Sequence, residues 1–315
     1  MKKKYLLSIL TMIIMIVFAA GCQSNEKSTA TANPQKPAAK TTSYSVTDDR
    51  GKKITFKKVP EKIVSLQPSN TEILFALGAG NKIIGVTDFD NYPKEASKIE
   101  RVSDSVKMNA ERIIELKPDV VLAYTIGDKN ALKPLEDADI PVFVIQSATT
   151  IEDVYGDIAQ IAEVMGVKEK GEQLVEEIQS QVKHVEEKLQ GIEKQKRVYF
   201  EISPSPDIYT TGKNTFQQEI LQKAGVENVF AKQEGWVKLS EEDVVKQNPE
   251  IIVTTVNYTK DPIGEIKARK GWKTINAIQK NNVYQLDPDI LSRPGPRIGE
   301  AVELVAKTVY PELFK

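Results

Sequence analysis

Residues 168–190 read KEKGEQLVEEIQSQVKHVEEKLQ, and this stretch decides the architecture of the chain. Leu174, Ile178, Val182, Val185 and Leu189 recur at steps of three and four, the seam of a 3.6-residue period, with no proline among them. Gly191 stands where such a helix stops. At about 1.5 Å per residue the helix would span about 35 Å, the width of a small domain. Stretches of similar length and pattern flank it. The expected arrangement is therefore two globular lobes, 44–167 and 191–315, joined by one stiff rod. His184, the only histidine, falls between seam positions Val182 and Val185 and reads as a solvated helix residue.

Working outward, both flanks alternate strands with helices, the pattern of βα units around a mainly parallel sheet. On the N-terminal side, 44–56 reads as a hairpin turning at Asp48-Asp49-Arg50-Gly51. Strands follow at 63–66, 83–86, 120–123 and 142–145, with helices at 70–77, 110–116, 131–138 and 151–165. On the C-terminal side, strands are expected at 197–202 and 283–286, helices at 215–223 and 298–309, and a loop at 287–296. The two flanks also repeat. NAERIIELKPDVV at 109–121 matches SEEDVVKQNPEII at 240–252: helix cap, acid, two β-branched residues, proline, acid and strand fall in register, 131 residues apart. Glu111 and Glu242 thus hold equivalent places, one per lobe. A carboxylate in a first helical turn favours the macrodipole by roughly 0.3–1 kcal/mol, and that alone accounts for them.

The N-terminus is an address. Lys2, Lys3 and Lys4 precede an uncharged run, 5–20, that ends in Phe18-Ala19-Ala20-Gly21-Cys22. A basic start, an apolar core and small residues make a secretory signal, here 1–21. The ending resembles a bacterial lipobox, with Ala19 where leucine is usual. Cys22, the only cysteine, would become the lipidated first residue, and two or more acyl chains make a stable anchor. Residues 23–43 are polar and low in complexity, too poor in apolar groups to fold, and read with Cys22 as a tether between membrane and lobes. The protein is expected at the cell membrane, lipid-anchored on its extracytoplasmic face.

Composition removes other classes. The 315 residues carry a net charge of −1, so no basic field points to nucleic acid. One cysteine and one histidine exclude a disulfide framework and a Cys/His zinc site. Gly212-Lys213-Asn214-Thr215 lacks the earlier glycine of a phosphate loop and reads as a turn before a helix. The acids Glu241-Glu242-Asp243 lack the spacing of a calcium loop. Two α/β lobes around a cleft also suit an enzyme such as a glycosyltransferase or hydrolase, but no nucleophile–base pair, metal cluster or phosphate loop supports one. A surface adhesin would need neither the duplicated acid nor an aromatic cleft.

SLQPSNTE at 65–72, MNAERI at 108–113, the lipobox, the repeat and RPGPR at 293–297 together resemble the substrate-binding proteins of ABC importers, over about 44–314. Within that family the sequence is most similar to the cobalamin-binding branch; ferric-siderophore and haem binders share the fold. The resemblance implies two Rossmann-like α/β lobes joined by a single rigid helix, the class III periplasmic-binding-protein fold, with a shallow cleft and no catalysis. It implies an ABC permease and its ATPase as partners, with Glu111 and Glu242 docking onto permease arginines, and a monomeric receptor with no resident cofactor or metal. Its ligand would be a cobalt corrinoid or a ferric chelate. Cleft positions of the cobalamin branch match Phe89, Tyr124, Trp236, Asp289 and Arg293; Ser105 stands where that branch carries another tryptophan. Tyr209, in a proline-rich loop, joins them as a candidate. Arg293 and Arg297 equally suit the acidic groups of a siderophore. Each aromatic taken alone reads more readily as core than as a ligand contact. Trp236 stands apart because it follows Gly235 in a polar stretch, AKQEGWVKL.

Overall fold

A computed structural model describes residues 43–104, 107–124 and 130–315. Cys22, the tether and Ser105 lie outside the described residues. In chain order the N-terminal half comprises β1 (Tyr44–Thr47), β2 (Lys53–Phe56), β3 (Ile63–Ser65), α1 (Pro68–Ala76), β4 (Ile83–Thr87), β5 (Arg101–Ser103), α2 (Ala110–Leu116), β6 (Val120–Tyr124), α3 (Lys133–Asp137), β7 (Val142–Ile145) and α4 (Ile151–Val164). The rod is α5 (Lys168–Lys188). Then come β8 (Arg197–Ser203), β9 (Tyr209–Thr211), α6 (Phe216–Lys223), β10 (Glu227–Asn228), β11 (Trp236–Lys238), α7 (Glu241–Gln247), β12 (Ile251–Thr254), α8 (Pro262–Ala268), α9 (Asn276–Gln279), β13 (Val283–Gln285), α10 (Pro288–Ser292) and α11 (Ile298–Val309).

The fold is α/β with two lobes on α5. The first sheet runs β5-β4-β3-β6-β7, all parallel. The second runs β11-β9-β8-β12-β13, with β10 paired to the start of β8. Its β8, β12 and β13 are parallel, whereas β9 pairs antiparallel with both β8 and β11. The hairpin β1–β2 closes the β7 edge of the first sheet: its turn offers Asp48 to the Val144 amide and Arg50 to the Val142 carbonyl.

The repeat holds at the level of the backbone. Helices α2 and α7 are each seven residues, capped by Asn109 and Ser240, whose side chains accept from the amides of Arg112 and Asp243. Both end on a left-handed residue, Lys117 (φ 49°) and Asn248 (φ 47°), before the proline. The following strands pair in parallel with β3 and β8, at the centre of each sheet.

Alternation along the strands divides the core. Val64, Val121 and Val142 face one satellite cluster, and Tyr199, Ile252 and Val283 another. Their neighbours Ile63, Leu122, Phe143, Val198, Phe200 and Val253 face a single apolar layer that also holds α1, α4, α5, α6 and α11. Within it α5 buries Ile178, Val182 and Val185 and packs against α4 on one side and α11 on the other. Approach is close on both: a Cβ at Gly171 would meet Ala162 at 2.5 Å, and one at Gly299 would meet the Gln181 side chain at 2.4 Å. The rod is thus the middle of a shared helical layer, not a bare strut. His184 points to solvent, and α5 ends at Lys188 with Leu189 as its cap. The Ile151 amide that opens α4 donates to Glu219 of α6, a further tie between the halves.

Candidate functional site

In a parallel sheet the loops that leave the carboxyl ends of the strands gather along one edge, where α/β folds bind ligands. Five large aromatic side chains stand exposed on these loops and on the antiparallel ribbon beside them: Phe89 (57% exposed), Tyr92, Tyr209, Trp236 (47%) and Tyr258 (70%). Large rings left in water are the side chains that interfaces and ligand sites use, with an apolar face to offer a partner. Tyr124, the last residue of β6, is half-buried at the same edge.

Phe89 is held by its backbone. It sits in a tight loop where Asp90 Oδ2 accepts from the Thr87 amide (2.8 Å) and hydroxyl (2.6 Å), and the Phe89 amide donates to Thr87 Oγ1. Arg101 donates to the carbonyls of Thr87 and Asp90, both at 2.8 Å. Across the molecule, β11 pairs with β9 so that Lys238 opposes Tyr209 and Trp236 opposes Thr211. Tyr209 and Trp236 are therefore diagonal neighbours on one face of the ribbon. The Trp236 indole donates to Gln217 Oε1 at 3.3 Å.

Asp289 and Arg293 join Phe89 in a polar cluster between the lobes. Its centre is Glu72 of α1, whose side chain is 1% exposed. Arg293 Nη1 donates to Glu72 Oε1 (3.0 Å) and Asn91 Oδ1 (2.8 Å), and Nη2 to the Phe89 carbonyl (2.9 Å). Asp289 Oδ1 lies 2.9 Å from Arg293 Nη2, and its Oδ2 accepts from Asn91 Nδ2 at 2.7 Å. Arg297 Nε and Nη2 donate to Glu72 at 2.7 and 2.6 Å, and its guanidinium lies 4.1 Å from the Tyr92 ring centre. The structure so brings Phe89, Asp289 and Arg293 together, and Tyr209 with Trp236. Glu72, Asn91, Tyr92 and Tyr258 were not singled out by sequence. Glu72 alone left a trace, as the last residue of the SLQPSNTE stretch.

Glu111 and Glu242 are both exposed in the first turns of α2 and α7. Each helix links strands of a parallel arrangement and runs back against the strand that follows, so its first turn lies at the edge where β6 or β12 ends. The Arg112 guanidinium goes to Glu100 and Glu115 rather than to Glu111. Among the described residues neither Glu111 nor Glu242 has a partner for its carboxylate. Among the same residues no group of three or more His, Cys, Asp or Glu could hold a metal ion.

The model of the periplasmic binding proteins matches residues 63–290. The chain belongs to the periplasmic-binding-protein family. The ABC transporter substrate-binding lipoprotein YvrC of Bacillus subtilis (strain 168) is 42% identical over 311 residues, 96% of each chain. A vitamin B12-binding protein of Vibrio parahaemolyticus is 31% identical over 245 residues, 77% of this chain and 86% of the relative. The crystal structure of a possible iron-binding (periplasmic solute-binding) protein from Staphylococcus epidermidis ATCC 12228 superposes with a TM-score of 0.72 at 36% identity, over 80% of this chain and all of that one. The resemblance read from the sequence, to the substrate-binding proteins of ABC importers, is borne out. As a periplasmic binding protein the chain is a binding protein and not an enzyme. The matched residues take in Glu72, Phe89 and Trp236 and stop short of Arg293 and Arg297.

Proposed function

We propose that this protein is the extracytoplasmic receptor of an ABC importer, which captures a corrinoid such as cobalamin in the cleft between its lobes and delivers it to the membrane permease. The observation that carries this reading is the set of exposed aromatic faces, Phe89 on one lobe and Tyr209 and Trp236 on the other, at the strand-end edges. Large flat ligands are held by such faces and oriented by a few polar groups. Tyr124, Asp289 and Arg293 complete the wall, and the lobes 44–167 and 191–315 close on the ligand as units about α5. The vitamin B12-binding relative supports the corrinoid, and the lipoprotein relative supports anchoring through Cys22 after a signal 1–21. No described helix is long and apolar enough to cross a membrane. The receptor acts as a monomer, and the unpartnered carboxylates of Glu111 and Glu242 dock onto permease arginines.

A second reading, a ferric siderophore or haem in the same cleft, is favoured by the likeness to the S. epidermidis protein. Titration separates them. Trp236 is the exposed tryptophan and Trp272 the buried one, and the difference in quenching between the wild type and Trp236→Phe reports on Trp236. Quenching by cyanocobalamin at nanomolar to micromolar concentration, lost in Trp236→Phe, supports the corrinoid. Quenching by a ferric chelate or haemin alone supports the second reading instead.

A further inference from the structure

The RPGPR segment places two arginines at the cleft, which at first sight makes it a site for anions, since guanidinium forks match carboxylates and catecholates. The geometry points elsewhere. We infer that the cleft takes a flat ligand without net negative charge, neutral or cationic, because its arginines are neutralised from within the protein. This rests on the receptor reading above and narrows it.

The donors are already spent. Arg293 serves Glu72, Asn91, the Phe89 carbonyl and Asp289; Arg297 serves Glu72 through two nitrogens and lies over Tyr92. Two carboxylates therefore face two guanidinium groups. The arginine side chains are only 10% and 9% exposed, and Glu72 between them is 1% exposed. An incoming anion would have to displace Glu72, which could leave only into a buried, unpaired state, or compete with Asp289, which would stay beside it as a like charge. The charged group of the cluster that water reaches most is a carboxylate, Asp289, at 35%. A ligand thus meets a floor that is balanced inside and negative at its lip. The exposed ring of Phe89, whose carbonyl Arg293 holds, adds the negative face of its quadrupole beside the cluster, which favours cations over anions. Arg293 in this arrangement is a positioning residue: it holds the Phe89 main chain and Asn91, and so the ring that the ligand meets.

The test uses the full chain and four probes of different charge: cyanocobalamin (neutral), a cationic ferric trihydroxamate, a trianionic ferric tris-catecholate and haemin with its two propionates. Binding is followed by Trp236 quenching from about 20 to about 500 mM NaCl, where screening of exposed charges changes most. The inference expects the neutral or cationic probe to bind at least about a hundredfold tighter than either anion. The affinity of the neutral probe should change by less than about twofold across the salt range. Tight binding of the tris-catecholate or haemin, weakening tenfold or more with salt, overturns the inference and leaves the receptor reading intact. Failure of all four probes to bind overturns both. Binding of the cationic probe alone upholds the charge inference and removes the corrinoid.

Discussion

Replacing Glu72 by alanine tests the clasp between the lobes. The residue belongs to α1, and its two partners stand 221 and 225 residues away, so the pair joins the ends of the chain. Truncation removes three hydrogen bonds, of 3.0, 2.7 and 2.6 Å, and leaves two largely buried guanidinium groups with neutral acceptors and one paired carboxylate, Asp289 on Arg293. Breaking a buried ion pair by removing one partner costs about 3–5 kcal/mol, because the other charge is stranded. The contact of Arg297 with Tyr92 is present with or without Glu72 and so leaves that cost unchanged. A loss of about 3–5 kcal/mol is expected, read as a lower urea midpoint by circular dichroism at neutral pH with the slope unchanged. Glu72→Gln keeps an acceptor and should lose less. A loss below about 0.5 kcal/mol for Glu72→Ala would mean that the arginines are solvated, and the reasoning on the cleft's charge would go with it.

Ile178→Ala empties the shared helical layer at a side chain only 1% exposed and should cost about 2–4 kcal/mol, measured in the same way. Gly212→Ala should destabilise by more than a surface change, since its Cβ would fall 2.3 Å from the Gln233 carbonyl oxygen; a normal melting temperature would contradict the close approach of these two backbone segments. Asp157, buried in α4, is pushed up to about 8, first by burial and then by Asp49 and Asp153. The folded state then holds a proton that the unfolded state releases above 3.8, so stability falls as pH rises from there to about 8. Asp157→Asn should flatten that slope and be more stable than wild type at alkaline pH by a few kcal/mol; parallel pH–stability curves would sink the assignment.

The long helix was legible because its period lies within one segment, and the repeat because two segments 131 residues apart match position by position. Helices α2 and α11 fall where the sequence placed them, with the same ends. The strands β5, β9 and β11 were not legible: each has three residues, and pairing with a neighbour rather than local preference makes it a strand. Likewise α10 was read as loop because its five residues depend on the Asp287 cap. The tryptophans show the limit for the site. Trp236 and Trp272 both follow a glycine in a polar stretch, yet the first is exposed and the second buried against Tyr199 and Arg269. Local sequence cannot tell a ring that meets a ligand from one that meets its own protein. The role of Glu72 was hidden for the same reason, since its partners lie in the other half of the chain.

The account is tested most directly by uptake of labelled cobalamin into vesicles that carry the cognate permease and ATPase, with the wild-type chain and with Glu111→Ala/Glu242→Ala. Losing a desolvated charge partner costs roughly 2–5 kcal/mol, so uptake should fall at least about thirtyfold while the affinity of the free receptor for cobalamin stays within about twofold. Undiminished uptake, or an affinity that falls in step with it, would contradict a receptor that holds its cargo between the lobes and docks through these two carboxylates.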